Sequence, residues 1–453
     1  MTRIIAYDMC RLFIGPNFAT PRGIDRVDFA MANHLFADPD SSHIAILPTP
    51  LGIRAYPAPV ARALLRHLHG VWRESPDLSE DARLTALVSD MISPRADAAT
   101  LSARRNGLTR TEGVRRSVAM LREIGWHRGR PAVDAVPADS VYVNLGQLGL
   151  AVPMFFTWLQ KRPDVACALM IHDTIPLDHP ELVKPGSVAH HAQMVRTAAT
   201  RADCLIFSTA FARASVNLAL AQLHQAPRPS LVRALPVPAA FAEVHESLPE
   251  LSGRHYFVAV STIEPRKNFT LLLRVWERLI VRLGAAAPHL VIVGAPGHDA
   301  NRILAPLATS PGLREHVHPV SGLSSPALAR LVLGGAGLLS PSLAEGFGLP
   351  LLEGIAMGVP TIASDIASHR EIAHPETQLL GINDQVGWER AILALPRVAS
   401  RTCPHIPLDM TEAAYCADIL AFLGTVTPKS KTANSRVDRT EPKPTKRSTQ
   451  YGR

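Results

Sequence analysis

Short apolar runs alternate with amphipathic stretches along most of the chain, and that alternation predicts its elements. From Tyr256, YFVAVST reads as a strand, KNFTLLLRVWERLIVRL as an amphipathic helix and HLVIVGA as a second strand. A short helix around Ile303 to Ala308 precedes VHPVSG, followed by the helix SPALARLVL and the strand AGLLSPS. GLPLLEGIAMG is a helix entered through Pro350, whose fixed φ suits a first turn. PTIASD and TQLLG complete the series as strands. Strands separated by helices of this length predict βαβ units and a parallel sheet.

The first half repeats the pattern. RIIAYDM, HIAILPT, VYVNLG, VACALMIHD, DCLIFST and SLVRALPVP are strand candidates, with IDRVDFAMANHLF, KPGSVAHHAQMVRTAATRA and FARASVNLALAQL as helices between them. The simplest parse is α/β, with two Rossmann-like parallel-sheet domains. The first spans 1–238, a linker runs over 239–255, and the second spans 256–408. MTEAAYCADILAFL supplies a helix at 409–424 that is expected to return to the first domain. Residues 56–137 interrupt the pattern as a basic helical insertion. Open parallel sheets bind ligands beyond the carboxyl ends of their strands, so two facing domains make a cleft.

A length of 453 residues agrees with two or three domains, and 47% hydrophobic against 19% charged residues excludes a wholly disordered chain. No apolar run reaches the roughly 18 residues of a bilayer-spanning helix. Asp8 and Arg11 break the apolar run that a secretory leader would need. Five cysteines without a CxxC pair argue against a disulfide framework and for a reducing, cytoplasmic setting.

The net charge of +8 is unevenly spread. The Lys/Thr/Pro/Ser-rich stretch 425–453, expected to be a disordered basic tail, carries +6 of it, which argues against a basic nucleic-acid-binding face. Eight arginines between Arg104 and Arg130 are interleaved with Leu108, Val114, Val118, Leu121, Ile124 and Trp126. That pattern predicts a basic amphipathic surface and salt-sensitive peripheral contact with an anionic membrane.

Two segments carry candidate chemistry. In SPSLAEGFGLPLLEGIAMG, Glu345 stands in a Gly-rich loop after a strand, and Glu353 follows seven intervening residues later in the next helix. Gly346 and Gly348 let the backbone approach a ligand, and the amides entering the helix form a donor-rich mouth. Two carboxylates facing that mouth can accept hydrogen bonds from sugar hydroxyls. In STIEPRKNF, Arg266 and Lys267 stand where a strand meets a helix, a place for two cations on a diphosphate. No Asp-x-Asp pair or HExxH spacing suggests a metal, and none is expected.

Together these segments resemble the retaining GT-B glycosyltransferases, specifically glycosyltransferase family 4, the group 1 transferases. The resemblance is carried by IEPRKN at 263–268, GAGLLSPSLAEGFGLPLLEGIAMGVPTIASD at 335–365 and SHREI at 368–372, with RGIDRV at 22–27 and IHDTIPL at 171–177 in the first half. It implies a nucleotide-sugar-dependent, mannosyltransferase-like hexosyltransferase with a glycan or lipid-linked glycan acceptor, in bacterial polysaccharide or lipopolysaccharide biosynthesis. It implies no cofactor beyond the nucleotide-sugar co-substrate. Residue by residue, it gives the diphosphate to Arg266 and Lys267 and the ribose hydroxyls to Glu353. The transferred sugar falls to Glu345 and the backbone of Gly346, Phe347, Gly348 and Leu349. His172 would stand near the anomeric carbon or acceptor, and Gly23 would approach the donor closely. Two alternatives stay open: a sugar-nucleotide epimerase on the same scaffold, for which no acid/base pair is evident, and a non-catalytic GT-B assembly subunit. The donor sugar, the base and the acceptor are not specified by these residues.

Overall fold

The structure, a computed structural model, describes residues 3–15, 20–72, 81–92, 115–116, 118–120, 122, 125–244, 246–398 and 406–428. Two sheets organise the chain. The first contains β1 (Ile5–Asp8), β2 (Ile44–Thr49), β3 (Gly52–Pro57), β4 (Arg130–Pro131), β5 (Val141–Asn144), β6 (Ala166–Met170), β7 (Cys204–Phe207) and β8 (Ser230–Val232), in the order β4-β3-β2-β1-β5-β6-β7-β8. The second contains β9 (Tyr256–Val260), β10 (His289–Val293), β11 (Val317–Val320), β12 (Gly337–Ser340), β13 (Thr361–Ser364) and β14 (Gln378–Leu380), in the order β11-β10-β9-β12-β13-β14, parallel throughout. Strands β1, β5, β6, β7, β9, β12 and β13 are apolar and buried almost end to end, as strands covered by helices on both faces must be.

The margin of the first sheet departs from the parallel expectation. Strand β2 turns back through Pro50 and Leu51 into β3, antiparallel in register from Thr49↔Gly52 to Ile44↔Pro57. Gly52, at φ 94°, provides the left-handed residue that so short a reversal requires. Strand β4 then adds antiparallel to β3. The segment expected to interrupt the pattern from residue 56 therefore leaves the sheet at Pro57 and rejoins it at Arg130, anchored at both ends in the sheet margin.

Two helices of this segment pack in different directions. Ala58–Trp72 buries Leu64, Leu65, Leu68 and Trp72 against the helix Gly23–Phe36, with Trp72 edge-on to Phe29 at 5.6 Å. Ala82–Ile92 reaches the second sheet, where Asp90 Oδ2 lies 2.9 Å from His318 Nδ1 and Arg83 Nη1 donates to the Ser321 carbonyl at 2.9 Å. Most of the arginine-rich stretch, including Arg104, Arg105 and Arg110, and the tail beyond residue 428 lie outside the described residues.

The helix Glu412–Thr425, capped by Thr411 at Ala414 N, lies back on Gly23–Phe36 and buries Tyr415, Cys416, Ile419 and Leu423. Cys10, Cys167, Cys204 and Cys416 are buried and form no disulfide among the described residues. No described helix is long and apolar enough to cross a membrane.

Candidate functional site

In the second sheet β9 runs first, β10 lies on one side of it and β12 on the other, so the loops leaving β9 and β12 diverge at a switch point. After β9 the chain makes a single 3-10 turn, Pro265–Lys267, and Asn268 then adopts the left-handed conformation (φ 53°) before the helix Phe269–Leu283. Asn suits that conformation, and its Nδ2 is held by the Ile382 carbonyl at 3.0 Å. The turn directs Arg266 and Lys267 toward the β12 loop, and Leu343 N ties the loops together on the Arg266 carbonyl at 2.7 Å. Gly348, at φ 104°, starts the helix Leu349–Ala356, and a Cβ there would lie 3.0 Å from the ring of His369.

Glu345 sits among these groups, only 9% exposed. Its Oε1 accepts from Lys267 Nζ and, at 2.7 Å, from Ser342 Oγ; its Oε2 accepts from Arg266 Nη1 at 3.1 Å. Burial alone would raise the carboxyl's pKa, but Lys267 and Arg266 overcome it and hold the group well below its usual range, so it stays ionised. Burial and the neighbouring Arg266 charge lower Lys267, an effect that Glu345 opposes. Arg266 also meets Glu264 at 2.6 Å.

Four contacts join this loop to the first sheet. A Cβ on Gly346 would lie 2.4 Å from the His172 carbonyl oxygen, so only glycine fits there without displacing backbone. Thr209 Oγ1 donates to the Gly346 carbonyl at 2.9 Å, and Gly23 faces Leu349, whose Cδ2 would stand 3.1 Å from an added Cβ. Arg26 Nη1 pairs with Glu353 Oε1 at 2.8 Å. Burial raises Glu353 to about 7 even though Arg26 pulls the other way.

His172 is buried at the end of β6. Its Nε2 lies 2.9 Å from the Leu145 carbonyl, which can only accept, so Nε2 carries the proton. Burial lowers its pKa to about 4, leaving the imidazole neutral near pH 7. Beside Arg26, a cleft of about 630 Å³ opens between Phe29, Asn33, Pro238, Ser325 and Arg330.

The residues singled out in the two motif segments, with Gly23 and His172, thus lie around one junction. Lys267 and Arg266 hold Glu345, and Glu353 holds Arg26. Sequence reasoning missed Arg26, Thr209, Ser342, His369 and Glu371. Arg26 and Glu371 stood within segments already noted, RGIDRV and SHREI, yet their partners lie 327 and about 160 residues away. Among the described residues no group of three or more His, Cys, Asp or Glu is arranged to hold a metal ion.

Residues 254–397 match the family described as Glycosyl transferases group 1. The chain is 28% identical over 221 residues to the serotype-specific mannosyltransferase WbdA of Escherichia coli, covering 46% of this chain and 27% of that one. It is 32% identical over 124 residues to the MMP alpha-(1->4)-mannosyltransferase of Mycolicibacterium hassiacum, covering 27% of this chain and 29% of the relative. The chain thus spans little more than a quarter of the length of these curated relatives. The crystal structure of Anabaena Alr3699/HepE in complex with UDP superposes with a TM-score of 0.50 at 13% identity, covering 94% of this chain and 95% of that one, a likeness of fold. The second sheet and the loops that crown it thus match the group 1 glycosyl transferases, and the two-sheet architecture is that of the GT-B fold.

Proposed function

We propose that the protein is a retaining glycosyltransferase that moves a hexose, mannose in the first instance, from a nucleoside-diphosphate donor to a glycan or lipid-linked glycan in polysaccharide biosynthesis. The observation that carries this reading is the Lys267–Glu345–Arg266 constellation at a switch point, its Glu345 adjoining Gly346, which packs on the His172 carbonyl. Similarity to mannosyltransferases supports the choice of sugar.

In the donor complex Arg266 and Lys267 engage the diphosphate, and Glu345, freed from them, accepts from sugar hydroxyls. Glu353 takes the ribose hydroxyls in place of Arg26, and the adjoining cleft admits the nucleotide. The bond from the anomeric carbon to the phosphate oxygen breaks. The acceptor oxygen bonds to that carbon on the same face, and its proton passes to the departing phosphate. Cations beside the charge that grows on that phosphate stabilise the transition state more than the ground state. His172, neutral, contributes its position and backbone beside the reacting sugar rather than a charge.

The test is a thermal-shift screen of GDP-mannose, UDP-glucose and related nucleotide-sugars, followed by transfer assays, because a ligand bound only by the native state raises its apparent stability. Stabilisation by a nucleotide-mannose with transfer to a mannan acceptor is expected; no shift with any nucleotide-sugar refutes the reading. A lipid-linked acceptor further requires salt-sensitive sedimentation with anionic vesicles, and protein left in the supernatant at low salt makes the acceptor a soluble glycan.

A further inference from the structure

At one flank of the junction, the first turn of the helix Ala210–Gln222 is held from the opposite sheet. The amides of Ala210 and Phe211 donate to Glu371 Oε2 and Oε1, each at 2.6 Å. The cap residue Thr209 accepts from Ala212 N at 3.0 Å while its hydroxyl donates to the Gly346 carbonyl at 2.9 Å. The first amides of a helix have no partner within it, and their partial positive charge favours an anion. Here two of them are satisfied by a carboxylate about 160 residues away in sequence. Gly346 is also the residue that packs on the His172 carbonyl. The seating of this helix on the second sheet therefore sets how His172 meets the Gly346–Leu349 loop.

We propose that Glu371 and Thr209 are positioning residues that form a latch, holding the two halves closed in the register in which His172 faces the glycine loop. Its consequence for turnover rests on the transferase reading above; the latch itself does not. When the halves separate, Glu371, the Gly346 carbonyl and the two amides all pass to water. Glu371 and the amides it holds lie at the surface, so this exchange is nearly balanced and sensitive to salt. A contact of that kind suits a reversible closure: strong enough to fix a register, weak enough to open for product release.

The experiment compares wild type with Glu371→Ala, Glu371→Gln, Thr209→Val and Thr209→Ser. Small-angle X-ray scattering of the free proteins at low salt reads closure. Glu371→Ala and Thr209→Val are expected to enlarge the radius of gyration, Thr209→Ser to match wild type, and Glu371→Gln to fall between. With GDP-mannose, Glu371→Ala should lose roughly tenfold in kcat, while its affinity for GDP, measured by calorimetry, stays within about twofold of wild type. Thr209→Val also removes a helix cap, so its melting temperature is measured alongside; Glu371→Ala leaves that cap intact. Unchanged scattering for both variants overturns the latch, whatever the transfer assay reads. Altered scattering with weakened GDP binding and unchanged kcat overturns the positioning role. Altered scattering in a protein that transfers no sugar at all leaves the latch standing and refutes the transferase reading instead.

Discussion

Each sheet has a switch point, at β1/β5 in the first and β9/β12 in the second, and the two are charged in opposite ways. At the second, one buried carboxylate, Glu345, is met by two cations and a hydroxyl and is kept ionised. At the first, three buried carboxylates gather. Asp25 accepts from Arg11 at 2.7 Å and from Arg22 at 2.9 Å, and these cations keep it low against the effect of burial. Asp8 and Asp28 receive neutral donors instead: Tyr142 OH at 2.6 Å to Asp8, and Tyr7 OH at 2.5 Å to Asp28. Burial raises both, Asp28 to about 7, and Asp28 Oδ2 has no hydrogen-bond partner among the described residues. The same topology thus makes two crevices, and charge decides their use. The cation-rich one is the crevice proposed above to take a diphosphate in exchange for its own carboxylate. The carboxylate-rich one sets two cations against three acids and holds Asp28 as a buried group that titrates near neutrality.

The largest effect that tests this contrast is removal of a cation. Lys267→Ala should lower turnover by roughly a hundredfold or more, because the leaving phosphate loses a charge-assisted contact in its transition state. The fold should persist, since Arg266 and Ser342 still satisfy Glu345. Near-normal turnover in a folded variant would remove the diphosphate assignment.

Next is the backbone approach. Gly346→Ala places a methyl 2.4 Å from the His172 carbonyl oxygen, and neither partner is a flexible side-chain end. The halves cannot then close fully, and kcat should fall by roughly ten- to a hundredfold with little change in melting temperature. Wild-type kinetics would mean that His172 and the loop need not meet during turnover.

A smaller change separates the two glutamates. Glu353→Gln should weaken binding of the free nucleoside diphosphate by about tenfold, whereas Glu345→Gln should chiefly lower turnover. Calorimetric titration distinguishes them, and equal affinity of wild type and Glu353→Gln would exclude a ribose contact.

The smallest effect lies at the other switch point. Because the folded value of Asp28 is about 7, the folded protein keeps a proton that the unfolded chain releases from about pH 4 upward. The folded state binds more protons across that window, so stability falls as pH rises through it. Asp28→Asn should reduce this slope and add roughly 1–2 kcal/mol near pH 8, measured by denaturant unfolding. Glu353, also raised to about 7, contributes in the same direction, so part of the slope remains. A steeper decline in the variant would contradict the assignment of Asp28 as a buried acid raised by its surroundings.

Much of the frame was legible because buried parallel strands announce themselves as continuous apolar runs: each of the eleven segments read from sequence as a strand contains an observed strand. The β3 and β4 pairings were not, since GIRAYP mixes Arg54 and Pro57 into a half-exposed margin strand and β4 is only two residues long. The glycine loop and the RKN turn were legible from local chemistry. What local chemistry could not supply was the pairing of charges. Glu353 on Arg26, and Glu371 on the helix of Ala210, depend on two sheets being brought face to face, and no window of sequence contains both partners.

The returning helix Glu412–Thr425 has a consequence for how the chain is made. Tyr415 and Ile419 are fully buried in the same apolar core as Met170 and the helix Gly23–Phe36, and Tyr415 OH reaches Met170 Sδ at 3.8 Å. The half that leaves the ribosome first therefore lacks part of its own core until almost all of the described chain has been synthesised. Contacts spanning some 245 residues of sequence are slow to close, and apolar surface left waiting for them is prone to misassociation. Nascent chains arrested before Thr411 should consequently hold the first sheet in a protease-sensitive, chaperone-dependent state, with the last turns of helix completing the first domain.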